Sequence, residues 1–322
     1  MLSNISLKEM GEKLRSADSI LIFPHVNPDG DAIGSCVALC RAMRREGRQA
    51  WVLLDDDVPA YLRFMDTEYC TADKDCITEP DVCICVDCSE KKRFPERAQR
   101  FDSGRIKLCI DHHITAGSFG DYYYIDGNEA ATAQIIYKLF TAMEIDVDKT
   151  LAEALYVGIC TDTGSFQHSN TTAETHAIVS KLFEAGIDHT GITVNLYHNV
   201  SYKRLKLEMD VLDRMELVAD GKAAVSYVTE EMLKARDASL DDSEGVVDLL
   251  RNIEGVELAA FIKEKGEDVK VSMRAKSYGN VDDIAVKFGG GGHAKAAGCT
   301  LHMPVEEAVA VMKAELSRYW EK

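Results

Sequence analysis

The chain has 322 residues, 46 % of them hydrophobic, and a formal net charge of −17. That length suits two domains rather than one. The acidity excludes a protein that coats long nucleic acid through a basic surface, and no apolar run approaches the roughly 20 residues that span a bilayer.

Met1-Leu2-Ser3-Asn4-Ile5-Ser6 has neither the basic stretch nor the apolar core of a secretory signal, so a cytoplasmic location is expected. Ser6-Leu7-Lys8-Glu9 has the form of a capping box, with Ile5 and Met10 placed as a hydrophobic staple, and predicts a helix to about Arg15. The apolar run Ser19–Phe23 predicts a buried strand that empties into Pro24-His25-Val26-Asn27-Pro28-Asp29-Gly30-Asp31. A helix over about Ala32–Glu46 follows, with Asp31 placed to cap it. Ala50–Leu54 is the next strand, and Asp55–Pro80 is acidic and irregular. Val82–Val86 runs into Asp87, and Ile106–Ile110 runs into Asp111-His112-His113. Tyr122–Ile125 predicts a short strand and Ala131–Met143 a helix. Two more boxes, at Thr150-Leu151-Ala152-Glu153 and Thr171-Thr172-Ala173-Glu174, predict helices to about Cys160 and Ala185. This alternation predicts an α/β fold, a parallel sheet with helices on both faces.

The pattern changes after Gly186. Residues 190–215 read as a connecting helix or linker between a first domain over 1–189 and a smaller α/β domain over 216–322. Within the latter, strands are predicted over Ala223–Val228, Val256–Lys263 and Val269–Lys276, the last two joined by a hairpin loop at Glu264–Asp268. A helix is predicted near Glu244–Asn252, and another from about Val305.

Ligands and catalytic groups gather at the carboxyl ends of strands in open parallel sheets. His25, Asp29, Asp31, Asp87, Asp111, His112 and His113 all fall at such ends. Hard oxygen donors with imidazole and no thiolate suit manganese or magnesium better than a soft metal. The plainer reading of Asp29-Gly30-Asp31 is a polar turn and a helix cap. Gly34-Ser35 would let the following helix start approach an anion. Side chains of adjacent residues diverge, so one of His112 and His113 can bind metal while the other faces substrate. Asp162, in Thr161-Asp162-Thr163-Gly164, falls at the C-terminal end of a helix, where the macrodipole disfavours a carboxylate unless a cation is near. Most of the ten cysteines sit in apolar runs and read as buried thiols; a metal role for Cys83, Cys85 and Cys88 lacks a second CxxC. Phe288-Gly289-Gly290-Gly291-Gly292-His293 is either a flexible loop or an anion cradle of backbone N–H groups. Arg274 is either a phosphate contact or a solvated strand residue.

His25-Val26-Asn27-Pro28-Asp29-Gly30-Asp31, Val86-Asp87, Asp111-His112-His113 and Thr161-Asp162-Thr163-Gly164 resemble the four motifs of the DHH phosphoesterases. Gly289–His293 resembles the signature of their DHHA1 domain. In length the chain is similar to the stand-alone NrnA-type branch, without room for the extra domains of the RecJ exonucleases. The resemblance implies two divalent cations, manganese foremost with magnesium the alternative. His25, Asp29 and Asp87 would hold one; Asp31, Asp87, His112 and Asp162 would hold the other, with Asp87 shared. His113 would act on the phosphate as donor or general acid, Asp111 would orient a neighbouring group, and Arg274, Gly290, Gly291, Gly292 and His293 would bind substrate. The implied substrates are short RNA or DNA oligonucleotides of about two to five nucleotides and small nucleotides such as 3′-phosphoadenosine 5′-phosphate, with a linear or cyclic dinucleotide phosphodiesterase as the alternative. A homodimer is compatible with this reading. A nucleotide-binding protein with a degenerate site would lack at least one ligand, and none of the expected ligands is missing.

Overall fold

The computed structural model of the chain describes residues 1–65, 67–113 and 120–321. It divides into two compact units, Met1–Asn199 and Val200–Lys322. The division falls inside the stretch read as a connection. No helix among the described residues is long and apolar enough to cross a membrane.

In chain order the first unit contains β1 (Leu2–Ser3), α1 (Leu7–Ser16), β2 (Ser19–Phe23), α2 (Gly30–Arg45), β3 (Gln49–Leu53), β4 (Cys70–Thr71), β5 (Val82–Val86), α3 (Ala98–Asp102), β6 (Ile106–Asp111), β7 (Tyr122–Ile125), α4 (Thr132–Ala142), α5 (Lys149–Asp162), α6 (Ala173–Glu184) and α7 (His189–Tyr197). The sheet order is β1-β7-β6-β5-β2-β3-β4, parallel except where β1 runs against β7. The central strands β2 and β5 are apolar almost throughout because both of their faces are covered. On one face lie the buried residues of α1, α2, α4 and α5, among them Met10, Ile33, Ile135 and Leu155. On the other, Phe94 and Phe101 pack over Cys83, Cys85 and Cys109. The ten cysteines are free, and most are buried. From β2 the chain moves outward to β3 and β4, then returns to build β5, β6 and β7 on the other side. The carboxyl ends of β2 and β5 therefore flank the switch in strand order, where ligand crevices form in such sheets.

Helix starts differ from the sequence reading in three places. Asp29, not Asp31, caps α2, accepting from the N–H groups of Asp31 and Ala32 at 3.1 Å. Asp31 lies in the first turn, where its side chain is free to point elsewhere. α5 starts from Asp148, which accepts from Leu151 N, so the box at Thr150 does not form. α6 is capped by Thr172 with Thr175 in reciprocal contact, one residue beyond the expected start. An Asp or Thr one or two positions away competes for the same orphan N–H groups, and the local pattern does not rank them. The box at Ser6 and Glu9 forms as expected.

Gly34 also has a different use. A Cβ there would lie 2.4 Å from the carbonyl oxygen of Ala154 in α5. At Gly158 it would lie 2.6 Å from Ala133 and 2.8 Å from Asp31 Oδ1, and at Gly30 it would lie 2.4 Å from Thr161 Oγ1. Gly34 lets α2 and α5 touch backbone to backbone, Gly30 makes room for the Thr161 side chain and Gly158 for Ala133 and Asp31; Gly34 faces a helix, not an anion.

The second unit contains α8 (Tyr202–Asp213), β8 (Glu216–Val218), β9 (Ala223–Val228), α9 (Glu230–Ala235), α10 (Val246–Arg251), β10 (Leu258–Lys265), β11 (Asp268–Ala275), α11 (Asp282–Ala285), β12 (Gly291–His293), β13 (Ala296–Leu301) and α12 (Val305–Arg318). Its sheet order is β12-β13-β11-β10-β9-β8, with only β9 and β10 parallel. α12 covers one face through Ala308, Met312 and Leu316, and α8 and α10 cover the other through Leu207, Val211 and Leu250.

Gly34→Ala tests the helix contact. The Cβ meets backbone, which cannot rotate away, so a loss of about 1–3 kcal/mol is expected. Thermal unfolding should show a lower Tm; an unchanged Tm would mean that α2 and α5 are not so closely apposed.

Candidate metal centre

The carboxyl ends of three strands and one helix converge in the first unit. The chain after β2 carries His25 and Asp29, and the first turn of α2 carries Asp31. Asp87 follows β5, Asp111 ends β6 ahead of His112 and His113, and Asp162 ends α5. Their donor atoms form three overlapping groups: His25 with Asp29 and Asp87; Asp31 with His112 and Asp162; and Asp87 with His112 and His113. Within the first, His25 Nε2 lies 3.5 Å from Asp87 Oδ2 and 3.9 Å from Asp29 Oδ2. His112 Nε2 lies 3.4 Å from Asp162 Oδ2 and 3.7 Å from Asp87 Oδ1. These gaps are too long for good hydrogen bonds. They match two donors on one cation, which at about 2.1 Å each stand about 3–4 Å apart.

The imidazoles are oriented for the same purpose. His25 Nδ1 sits 2.7 Å from the carbonyl of Val26, and His112 Nδ1 sits 3.2 Å from that of Glu129. A ring N–H directed at a carbonyl leaves Nε2 to turn its lone pair toward the carboxylates, the usual arrangement of a metal-ligating histidine. The residues present thus fit a hard divalent cation, and no cysteine belongs to the groups.

His112 and His113 do not diverge as expected. Their ring centroids are 4.6 Å apart, and His113 Nδ1 lies 3.8 Å from Asp87 Oδ1. The cause is Asp111. Fully buried, its Oδ1 accepts from His113 Nδ1 at 2.7 Å and from the backbone N–H groups of His112 and His113 at 2.8 and 3.1 Å. Asp111 thereby sets the orientation of the His113 ring.

Neither Thr132 nor Glu129 stands out in the sequence. Thr132 opens α4 and is completely buried. Its hydroxyl donates to Asp87 Oδ1 at 2.8 Å, and its N–H to Asp31 Oδ2 at 2.6 Å; the next N–H, of Ala133, donates to Asp31 Oδ1 at 2.9 Å. Glu129 holds the carbonyl that meets His112, and its own carboxylate is fixed by Lys138 and Gln134 at 2.5 Å each. A threonine at the start of a helix is ordinary in sequence, so only the approach of two distant carboxylates reveals its use.

Without cations the cluster is electrostatically frustrated. Burial, then the charges of Asp87 and Asp162, holds the Asp31 carboxyl well above the usual range. Burial lifts Asp162 to about 6 despite the nearby His112. Burial opposes charge on Asp87 too, but His25 beside it and the charges of His112 and His113 bring it down to about 2. His112, opposed by its burial, rises to about 9 through Asp162, Asp31 and Asp87. The cluster stores protons where a metal centre needs neutral imidazole and ionised carboxylates.

A family model described as the DHH family, N-terminal domain, matches residues 19–159, and one described as the DHHA1 domain matches residues 220–321. The chain belongs to the DHH family. The bifunctional oligoribonuclease and PAP phosphatase NrnA of Thermus thermophilus is 32 % identical to it, over 97 % of this chain and 95 % of its own length. The protein of that name from Bacillus subtilis is 26 % identical, over 88 % of this chain and 90 % of its own. The crystal structure of an exopolyphosphatase-related protein from Bacteroides fragilis has a TM-score of 0.92 at 30 % identity, covering 97 % of this chain and 96 % of that one.

The DHHA1 unit arranges its candidate residues in one row. Arg274 on β11 lies opposite Ala296 on β13, which lies opposite His293 on β12. Directly paired residues share a face of the sheet, so Arg274 and His293 belong to the same face. Arg274 is partly exposed; its Nε stands 3.6 Å from Asp248 Oδ1. The glycine run is neither a loose loop nor a complete N–H cradle. Gly291 and Gly292 belong to edge strand β12, paired with β13, and the N–H of Gly290 donates to the carbonyl of Ala285. A Cβ at Gly290 would lie 2.1 Å from the carbonyl oxygen of Gly298. Close strand approach is what requires glycine there.

Metal binding should release protons. His112 rises to about 9, so it is charged at neutral pH in the metal-free protein and must lose its proton to become a ligand. Apparent manganese affinity is therefore expected to increase from pH 6 to about 9. Calorimetric titration in buffers of different ionisation enthalpy should show net proton release near pH 7.5; proton-neutral binding there would contradict the assignment of His112.

Proposed function

We propose that this chain is a metal-dependent phosphoesterase that hydrolyses oligonucleotides a few nucleotides long to mononucleotides and dephosphorylates 3′-phosphoadenosine 5′-phosphate. The observation that carries the reading is Asp87. Its Oδ2 faces the group of His25 and its Oδ1 the group of His112, so one buried carboxylate serves two adjacent donor sets. Two such sets suit a pair of divalent cations, manganese by the hardness of the donors, with magnesium the alternative. His25, Asp29 and Asp87 would hold one, and Asp31, Asp87, His112 and Asp162 the other. The names of the relatives from Thermus thermophilus and Bacillus subtilis support the choice of substrates.

When bound, the cations supply charge neutralisation and Lewis acidity toward a phosphoryl oxygen. His113 supplies the proton. Asp111 holds its Nδ1, so Nε2 is the ring atom that serves the leaving oxygen. Arg274 and His293 on the DHHA1 sheet are assigned to a further phosphate or the sugar of the substrate. In that role Arg274 exchanges its long contact with Asp248 for a phosphate, a stronger partner. Gly291 and Gly292 belong to the strand that carries His293 to this face, and Gly290 leads into it. The first unit, Met1–Asn199, is assigned as the catalytic part and the second, Val200–Lys322, as the substrate-binding part; the stretch 190–215, expected to connect them, is divided between α7 and α8.

Turnover of a dinucleotide, a pentanucleotide, a long oligomer, 3′-phosphoadenosine 5′-phosphate and a cyclic dinucleotide, with manganese and with chelator, tests the reading. Fast cleavage of the short substrates alone is expected, lost with chelator. Faster cleavage of the long oligomer would overturn it, and preference for the cyclic dinucleotide would move it to the dinucleotide phosphodiesterases.

Asp87→Ala should abolish turnover and lower the bound manganese. His113→Ala should keep most of the metal and lose about 10²–10⁴-fold in rate; metal loss equal to that of His112→Ala would make His113 a ligand. Arg274→Ala should lower kcat/KM for dinucleotides and spare bis-p-nitrophenyl phosphate. Equal losses on both would show that Arg274 supports the fold.

A further inference from the structure

We propose that Thr132 is a positioning residue: its hydroxyl fixes the rotation of the Asp87 carboxylate so that one oxygen faces each donor group. The inference rests on the metal-centre reading above. The backbone of Asp87 is held in the left-handed region, φ 58°, an unfavourable conformation for a residue with a side chain, and its N–H donates to the carbonyl of Ile110 at 3.0 Å. Main-chain pairing with β6 therefore fixes the Cα. It does not fix the torsion of the carboxyl group, which rotates easily about a bond to an sp² carbon. A carboxylate that turned about this bond would present both oxygens to one group and abandon the other.

The Thr132 hydroxyl supplies the missing constraint. It is fully buried, so water does not compete for it, and a buried hydroxyl needs an acceptor. Its acceptor is Asp87 Oδ1 at 2.8 Å, leaving Oδ2 directed at His25 Nε2, 3.5 Å away. As the first residue of α4, Thr132 cannot use the hydroxyl to cap its own helix, and the cap residue Ala131 has no side-chain donor or acceptor. The N–H of Thr132 is committed separately to Asp31. A single residue thus bonds a carboxylate from each of two donor groups, through two different atoms, and only one of these is side chain.

That separation makes the test specific. Thr132→Val keeps the shape and the N–H to Asp31 but removes the hydroxyl; Thr132→Ser keeps the hydroxyl and removes the methyl. Manganese binding to the intact protein is measured by calorimetry and by electron paramagnetic resonance, without substrate. The native protein should bind two ions with a spin-coupled spectrum. Thr132→Val should weaken the second ion about 10–100-fold, the usual effect of losing a group that orients a ligand, with loss of the coupled signal. Thr132→Ser should restore both. Thr132→Val with native affinity and coupling, or Thr132→Ser as impaired as Thr132→Val, would overturn the proposal; the second result would assign Thr132 to packing. Should Thr132→Val fail to fold, Thr132→Ala and Thr132→Ser are compared in the same way, and equal manganese affinity in the two overturns it. Absence of manganese from the native protein would instead defeat the metal-centre reading itself.

Discussion

The close apposition of α2 and α5 is the constraint on which the site depends. Asp31 leaves α2 in its first turn and Asp162 leaves α5 in its last, so the two carboxylates can share a ligand set only if the helices nearly touch. Gly30, Gly34 and Gly158 remove the side chains that would hold them apart. Gly158 does this beside Asp31 itself, where a methyl group would press on the carboxylate. Packing and chemistry are here one requirement, since the surface that buries Ile33 and Leu155 also sets the spacing of the Asp31 and Asp162 carboxylates.

The cluster then has to survive its own charge. Carboxylates this close and this deeply buried repel one another, and desolvation raises the cost. The N-terminus of α4 meets part of it, since two main-chain N–H groups and the positive end of the helix dipole are turned on Asp31. Protonation meets another part in the metal-free protein. In the proposed reading cations would meet the remainder, and bound metal would then contribute to stability as well as to chemistry.

Much of this was legible in the sequence for a physical reason. Buried parallel strands are short continuous apolar runs, and His25, Asp87 and Asp111 announce themselves by interrupting such runs with charge. The strand at Tyr122–Ile125 and the helix starting at Val305 lie where the pattern placed them. What was not legible depended on partners distant in the chain. The competition of Asp29 with Asp31 for one cap is decided by Asp31 being drawn to α4, a hundred residues away. Gly34 looks like a helix-start glycine until Ala154 is seen opposite. The glycine run looks flexible until β13 is found beside it. Thr132 carries no motif at all.

The burial of the thiols has a consequence for life under oxidative stress. A chain with ten cysteines would ordinarily be a target for peroxide, yet attack requires the thiolate and access to it. Burial pushes Cys83 up to about 12 and Cys40 likewise, and carries Cys36, Cys85 and Cys109 well above the ordinary value. At neutral pH these sulfurs behave as small hydrocarbons with a heavy atom. An oxidant would meet the partly exposed Cys70 and Cys76 first, both outside the metal-ligand groups. Mild oxidation should therefore mark this protein at β4 and the segment just after it, well before it reaches the machinery that cuts phosphate esters.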